Sequence, residues 1–250
     1  MKSLIITVAG MSCRFNKDTK EPVLKCLYYE DTPANSLLSI QIHKCFDLVD
    51  EIVVVGGYKY ANLETFIRQE MKDVNCKVKL VYNDHYYDYG SGYSLLKGIE
   101  AVSNKADEII FIEGDLFFDK ESVKRIITSP KDVVSVNNEP ILSNKAVALY
   151  FDTNSYPHYI YDTSHSCLEI HEPFTAIYNS GQMWKFRNPS RVKKICQFLT
   201  PEEEEKTNLV IIQRYFDSLR KNNMDIIQIN CWFNCNTVAD YQKAIKALEI

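Results

Sequence analysis

Leu4-Ile5-Ile6-Thr7-Val8 runs directly into Ala9-Gly10-Met11-Ser12-Cys13-Arg14-Phe15, followed shortly by Lys20-Glu21-Pro22-Val23-Leu24-Lys25. An apolar run of this length reads as a buried strand, and the small residues after it leave consecutive backbone N–H groups open to a ligand. One arginine and two lysines add fixed positive charge around whatever the loop holds. The arrangement suits a triphosphate, although a surface loop with solvated cations would also carry these residues.

Further segments favour the ligand cradle. Ile52 to Val55 closes on Gly57-Tyr58, Glu108 to Ile112 closes on Gly114-Asp115, and Gly90-Ser91-Gly92-Tyr93-Ser94 opens a helix starting near Ser94. Between them Leu38, Ile42, Cys45 and Phe46 recur at helical spacing, Leu63, Phe66 and Ile67 mark a short helix, and Val78, Leu80 and Tyr82 alternate as in a strand. Strand and helix in turn predict an α/β fold, a three-layer Rossmann-like sheet that is mostly parallel and covered on both faces. Ligands of such sheets bind beyond the carboxyl ends of the strands, where each small-residue loop falls.

From Asp132 to about Asn179 short strands take over, at Val133 to Val136, 146–151 and Tyr156 to Tyr161, read as a small antiparallel addition. Val192, Ile195, Cys196 and Leu199 mark one amphipathic helix, and Leu209, Ile212, Phe216 and Leu219 another. Glu202 to Glu205 reads as a solvated first helical turn favoured by the helix dipole. Ile226 to Ile229 is the last strand, and Val238, Tyr241, Ile245 and Leu248 line a final helix capped by Thr237 with Asp240.

With 29 Lys+Arg against 33 Asp+Glu the formal net charge is −4, which gives no electrostatic support to nucleic-acid or anionic-membrane binding. No stretch approaches the roughly 18 apolar residues of a membrane span. The first strand is too short for the apolar core of a signal peptide, so a soluble, cytoplasmic protein is expected. The eight cysteines never form Cys-x-x-Cys, and reduced core thiols are expected rather than a zinc site.

Taken with Trp232-Phe233-Asn234-Cys235-Asn236-Thr237-Val238-Ala239-Asp240-Tyr241, these loops resemble the nucleotidyltransferase family, which joins a nucleoside triphosphate to a phosphorylated small molecule. The resemblance covers most of the chain and is strongest before residue 120 and over the closing run. It implies the nucleotidyltransferase (GT-A-like) fold as one domain, with 1–130 and 225–250 as nucleotide-binding core and 131–224 as acceptor-side insertion and helices.

It also implies roles for single residues. Arg14 and a lysine, either Lys20 or Lys25 with Lys20 preferred, would stabilise charge on the phosphates as pyrophosphate departs. Ala9, Gly10, Met11, Ser12, Gly57, Tyr58, Gly90 and Ser94 would contact the nucleotide. Asp115 would hold Mg²⁺, with Glu113 assisting it or merely facing the cleft. The family pattern Trp-x-x-x-Asp-[Ser/Thr]-x-x-Asp-Tyr carries a second metal carboxylate where this chain has Asn236. Either its amide oxygen coordinates, or the metal is held through water. Lys185 and Arg187 are candidate acceptor-phosphate contacts, or residues of an exposed helix. An attacking phosphate, mostly dianionic at pH 7, needs no general base.

The stretch from Asn83 to Leu95, with Tyr93-Ser94-Leu95, is similar to the corresponding part of phosphocholine cytidylyltransferases and implies CTP. The implied acceptor is phospho-L-glutamine, in capsule or surface-polymer precursor synthesis. Phosphocholine, aminoethylphosphonate and sugar 1-phosphates are alternatives. A GT-A-type glycosyltransferase using Glu113-Gly114-Asp115, and a silent nucleotide-binding module, are readings from other classes.

Overall fold

Four parallel strands, β1 (Lys2–Thr7), β2 (Glu51–Gly56), β3 (Val78–Tyr82) and β4 (Glu108–Glu113), form the half of the sheet that positions the site. β1 lies between β2 and β4, with Ile6 level with Val54 and Ile112, and β3 is the outer neighbour of β2. The structure, a computed structural model, describes residues 1–142, 147–161 and 167–247.

Period-2 alternation sorts the strand residues onto two covered faces. Leu4, Ile6, Ile52, Val54, Ile110 and Ile112 pack against α1 (Leu37–Cys45), α2 (Tyr60–Glu70) and α4 (Lys120–Thr128). Ile5, Val53, Val55, Ile109 and Phe111 pack against α3 (Ser91–Ala101), α5 (Pro189–Gln197) and α7 (Leu209–Phe216). This is the three-layer α/β architecture expected from the sequence. A short helix, α6 (Pro201–Glu204), carries the acidic run and is closed by a Thr200–Glu203 capping box.

In the second half of the chain the placement of one strand departs from expectation. β6 (Asp132–Asn137) lies inside the main sheet, with β10 (Met224–Gln228) parallel to it on one side and β9 (Phe174–Phe186) antiparallel on the other. Among the described residues the sheet has nine strands, with the path β10-β6-β9-β4-β1-β2-β3. β9 is 13 residues long, and its last residues wedge between β4 and β6 while its first half pairs with β7 (Ala148–Asp152). Only β7 and its hairpin partner β8 (Pro157–Ile160) stand off the main path. Ala146, Leu248 and residues 162–166 of the polar segment lie outside the described residues.

A second, two-stranded antiparallel ribbon joins β5 (Leu116–Phe118) to β11 (Trp232–Asn234). It leads into α8 (Val238–Lys246), whose first turn carries the expected Thr237–Asp240 capping box. Among the described residues no helix is long and apolar enough to cross a membrane, and no group of His, Cys, Asp or Glu could hold a metal ion unaided.

Candidate active site

A cleft of about 210 Å³ opens beyond the ends of β1 and β4, lined by Ala9, Gly10, Lys25, Glu113, Gly114 and Asp115 among others. Gly114 is required there. Its N–H donates to Thr7 O at 3.0 Å, and a Cβ in its place would sit 2.5 Å from that same carbonyl. Gly10 has open space where a Cβ would be, so its backbone is free to meet a ligand.

The loop after Gly10 folds back through Ser12, which takes a left-handed φ of 57°. Its carbonyl accepts the Asn16 N–H at 2.9 Å, and its hydroxyl accepts the Lys25 N–H at 3.1 Å. The second bond brings Lys25 into the cleft. The lysine Nζ lies 2.8 Å from Asp115 Oδ2 and 3.2 Å from Asn236 Oδ1, and Arg14 Nη2 reaches the same Asn236 oxygen at 2.9 Å.

Residues 115 and 236 meet because the β5–β11 ribbon pairs Leu116 with Asn234, and the Cys235 N–H donates to Asp115 O at 2.8 Å. Asp115 Oδ1 is buried without a hydrogen-bond partner, and the Asn236 amide oxygen faces the same cations. Hard oxygens of this kind suit Mg²⁺, which keeps waters and substrate phosphates in its shell and needs only one or two protein ligands. The residues present therefore fit the ion.

Beside them, Glu113 Oε1 accepts from Asn208 Nδ2 at 2.8 Å. Burial, reinforced by the negative charge of Asp115, pushes its carboxyl up to about 7.

The structure brings together Ala9, Gly10, Arg14, Lys25, Asp115 and Asn236, while Ser12 shapes the loop that carries them. Met11 is exposed beside this loop. Lys20, preferred over Lys25 on the resemblance, is exposed and lies outside the cleft lining, whereas Lys25 lines it.

Gly57 and Tyr58 stand behind the cleft rather than in it. A Cβ at Gly57 would fall 2.3 Å from Tyr86 Cβ, and the Tyr58 N–H donates to Ala9 O at 3.0 Å, so both support lining residues. Gly90 lines the cleft, but its N–H is committed to Glu205 O at 2.8 Å, and close packing on Lys206 explains the glycine. Ser94 also lines it, and its hydroxyl accepts from Asn83 Nδ2 at 2.9 Å.

Lys185 and Arg187, the candidate acceptor-phosphate contacts, lie away from the cleft. Lys185 is fully buried in β9, its Nζ donating to Ile127 O at 2.9 Å and Ser129 O at 2.6 Å and lying 2.8 Å from Glu108 Oε2. Arg187 Nε lies 3.3 Å from Glu108 Oε1 and its Nη1 donates to Pro130 O. Glu108 begins β4, whereas the cleft opens past its last residue, Glu113, so both cations sit at the wrong end of the sheet.

Asn208, Tyr86 and Tyr89 line the cleft and were missed as site residues. Asn208 has the local signature of an ordinary residue before a helix, and only the fold places it against Glu113.

The inositol-1-phosphate CTP transferase of T. maritima superposes with a TM-score of 0.71 at 15% identity, over 98% of this chain and 96% of that one. The CTP:phosphocholine cytidylyltransferase of Streptococcus pneumoniae gives 0.64 at 16% identity, over 99% of each chain. A UDP-glucose pyrophosphorylase complexed with UDP-glucose gives 0.67 at 13%, over 100% of this chain and 98% of that one. These structural neighbours are nucleotidyltransferases, and the likeness establishes the fold. Among curated proteins no sequence is significantly similar to this chain. The family pattern described as "Domain of unknown function (DUF6564)" matches residues 21–248, nearly the whole sequence, and the chain belongs to that family.

Proposed function

We propose that the protein transfers CMP from CTP to the phosphate of a small acceptor and releases pyrophosphate. The observation that carries this reading is the convergence of Arg14, Lys25, Asp115 and Asn236 at the ends of the parallel strands. An acceptor phosphate oxygen attacks the α-phosphorus of CTP and forms the new P–O–P bond. The bond from that phosphorus to the β-bridging oxygen breaks, and pyrophosphate leaves with the electron pair. Arg14 and Lys25 offset the charge that grows on the departing group. Held by Asp115 and Asn236, Mg²⁺ would supply Lewis-acid neutralisation of the phosphates.

The backbone of Ala9 and Gly10 would follow the triphosphate, and the Asn83–Ser94 pair would lie toward the base. CTP is favoured by the likeness of the 83–95 stretch to phosphocholine cytidylyltransferases and by the CTP-using enzymes among the structural neighbours. Phospho-L-glutamine as acceptor and surface-polymer precursor synthesis as context rest on the family resemblance, and a cytoplasmic location rests on the short first strand read above. The test is pyrophosphate release with CTP or UTP, Mg²⁺ and a panel of phospho-L-glutamine, phosphocholine, aminoethylphosphonate and sugar 1-phosphates, with ³¹P NMR of the product. Release with CTP and one acceptor is expected. No release with any pair would refute the reading.

A further inference from the structure

Asn236 presents a neutral amide to the cations of the cleft, and its surroundings give a reason. Arg14 Nη2 and Lys25 Nζ approach one atom of its carboxamide at 2.9 and 3.2 Å. Guanidinium and ammonium groups only donate, so that atom is the oxygen and the nitrogen points away from the cations. Asn236 Nδ2 donates to Asn234 at 2.6 Å, so the atom it meets is Asn234 Oδ1. Asn234 Nδ2 must then point onward, and it reaches Gln182 Oε1 at 3.4 Å. The two cations thus fix the polarity of three successive amides. An aspartate at 236 has no hydrogen to donate, and could keep the chain only if both remaining amides reversed.

The far end of this chain sits in strained backbone. Gln182 is 3% exposed and takes a φ of 56°, a left-handed conformation unfavourable for a residue other than glycine. It lies at an irregularity of β9, where the register against β6 shifts between Val134 and Val136. Its neighbours hold it there: Ser180 Oγ accepts the Gln182 N–H at 3.2 Å, and Gly181 O accepts Trp232 Nε1 at 3.0 Å. Met183 is level with Ile112, which sets Gln182 beside the end of β4 that opens into the cleft.

We propose that Asn234 and Gln182 are positioning residues, an amide relay that keeps the Asn236 oxygen turned toward the cations of the cleft. This rests on the active-site reading above. It explains why an amide stands at 236, because only an amide presents oxygen to the cleft and hydrogen to its support.

Asn234→Leu removes the acceptor for Asn236 Nδ2, whereas Asn234→Asp retains one. The side-chain amide resonance of Asn236, assigned by its loss in Asn236→Asp, should lose its hydrogen-bonded position in Asn234→Leu and keep a hydrogen-bonded one in Asn234→Asp, where Gln182 must turn its own amide hydrogen to the new carboxylate. Mn²⁺ affinity, read by electron paramagnetic resonance without nucleotide, should fall about tenfold in the leucine variant and by less than about threefold in the aspartate variant. Should the leucine variant fail to fold, Gln182→Gly removes the anchor while suiting the left-handed backbone, and the same shift and loss are expected in smaller measure. A resonance or Mn²⁺ affinity indifferent to loss of the relay, or equal losses in the leucine and aspartate variants, overturns the proposal. Absence of pyrophosphate release by the wild type would refute the proposed function and leave the amide result standing.

Discussion

Replacing Lys25 by Met should have two opposite effects. Its ammonium lies 2.8 Å from Asp115 Oδ2 and 3.2 Å from Asn236 Oδ1, and so occupies the two oxygens a divalent cation would use. At the 2.8 Å separation the gross attraction to Asp115 is about 6 kcal/mol with an effective dielectric of about 20, most of it cancelled by lost hydration. A hydrogen bond to a charged group leaves about 1.5–3 kcal/mol net. Because the two side chains are 20% and 19% exposed, solvent screening favours the lower end, equivalent to about a factor of ten in competition with a metal ion. Lys25→Met should therefore bind Mn²⁺ about tenfold more tightly without nucleotide, yet turn over CTP about 10²-fold more slowly, since the charge facing the leaving group is gone. Lys20→Met should leave both within about threefold, as its side chain is exposed outside the cleft. Paramagnetic titration and pyrophosphate release read the two effects separately. Equal turnover in the two methionine variants, or weaker Mn²⁺ binding in Lys25→Met, would refute the assignment.

Asp115→Asn should abolish metal-dependent turnover with little change in Tm, since a neutral amide is a far poorer ligand for a hard cation than a carboxylate; wild-type metal dependence would make Asp115 structural. Lys185→Met should cost about 3–5 kcal/mol in urea denaturation by stranding Glu108, and Lys185→Met/Glu108→Gln should recover part of it; a loss below about 1 kcal/mol would contradict the buried pair. Asp119 caps α4 and ties down β11, accepting from the Ser122 N–H at 2.8 Å and the Cys231 N–H at 3.0 Å. Burial opposes its ionisation, but these donors outweigh burial and hold the carboxyl below its ordinary value. The stabilisation from ionised Asp119 is thus present above the unfolded-state value near 4 and lost as pH falls through the lower folded value. Asp119→Ala should cost about 1–2 kcal/mol at pH 7 and progressively less toward pH 2, and a cost independent of pH would count against the ionised cap.

The first half of the fold was legible because its strands are buried on both faces and contain little else but apolar residues, as in Ile52 to Val55. The Thr237–Asp240 cap was legible because both partners lie within one helical turn. β9 was not, since the polar Asn179-Ser180-Gly181-Gln182 and Lys185 break the apolar run of a buried strand, and each is polar for a tertiary reason. Ser180 and Gly181 accommodate the irregular register against β6, and Lys185 satisfies carbonyls at the end of α4. The choice between the two lysines was equally hidden, because it turns on the Lys25 N–H reaching the Ser12 hydroxyl 13 positions away. Asp115 and Asn236 could be named from sequence, but the pairing of Leu116 with Asn234 that joins them could not.

Charge balance gives a second physical reason for an amide at 236. Arg14 and Lys25 meet at the Asn236 oxygen and Lys25 also meets Asp115 Oδ2, while burial, reinforced by Asp115, pushes the Glu113 carboxyl up to about 7 and so disfavours a second negative charge there. With Asn236 neutral, the two cations outweigh the carboxylates and the cleft keeps a positive excess suited to a polyanion. An aspartate there would remove that excess and bind both cations before the nucleotide arrived. Asn236→Asp should therefore tighten Mn²⁺ binding to the free protein, since it adds a hard anionic ligand, and weaken binding of CTP without metal, since it cancels the attraction for the triphosphate. Isothermal titration of each ligand alone measures both signs. CTP binding that is unchanged or tighter in the variant would show that the charge of this cleft does not govern capture of the triphosphate.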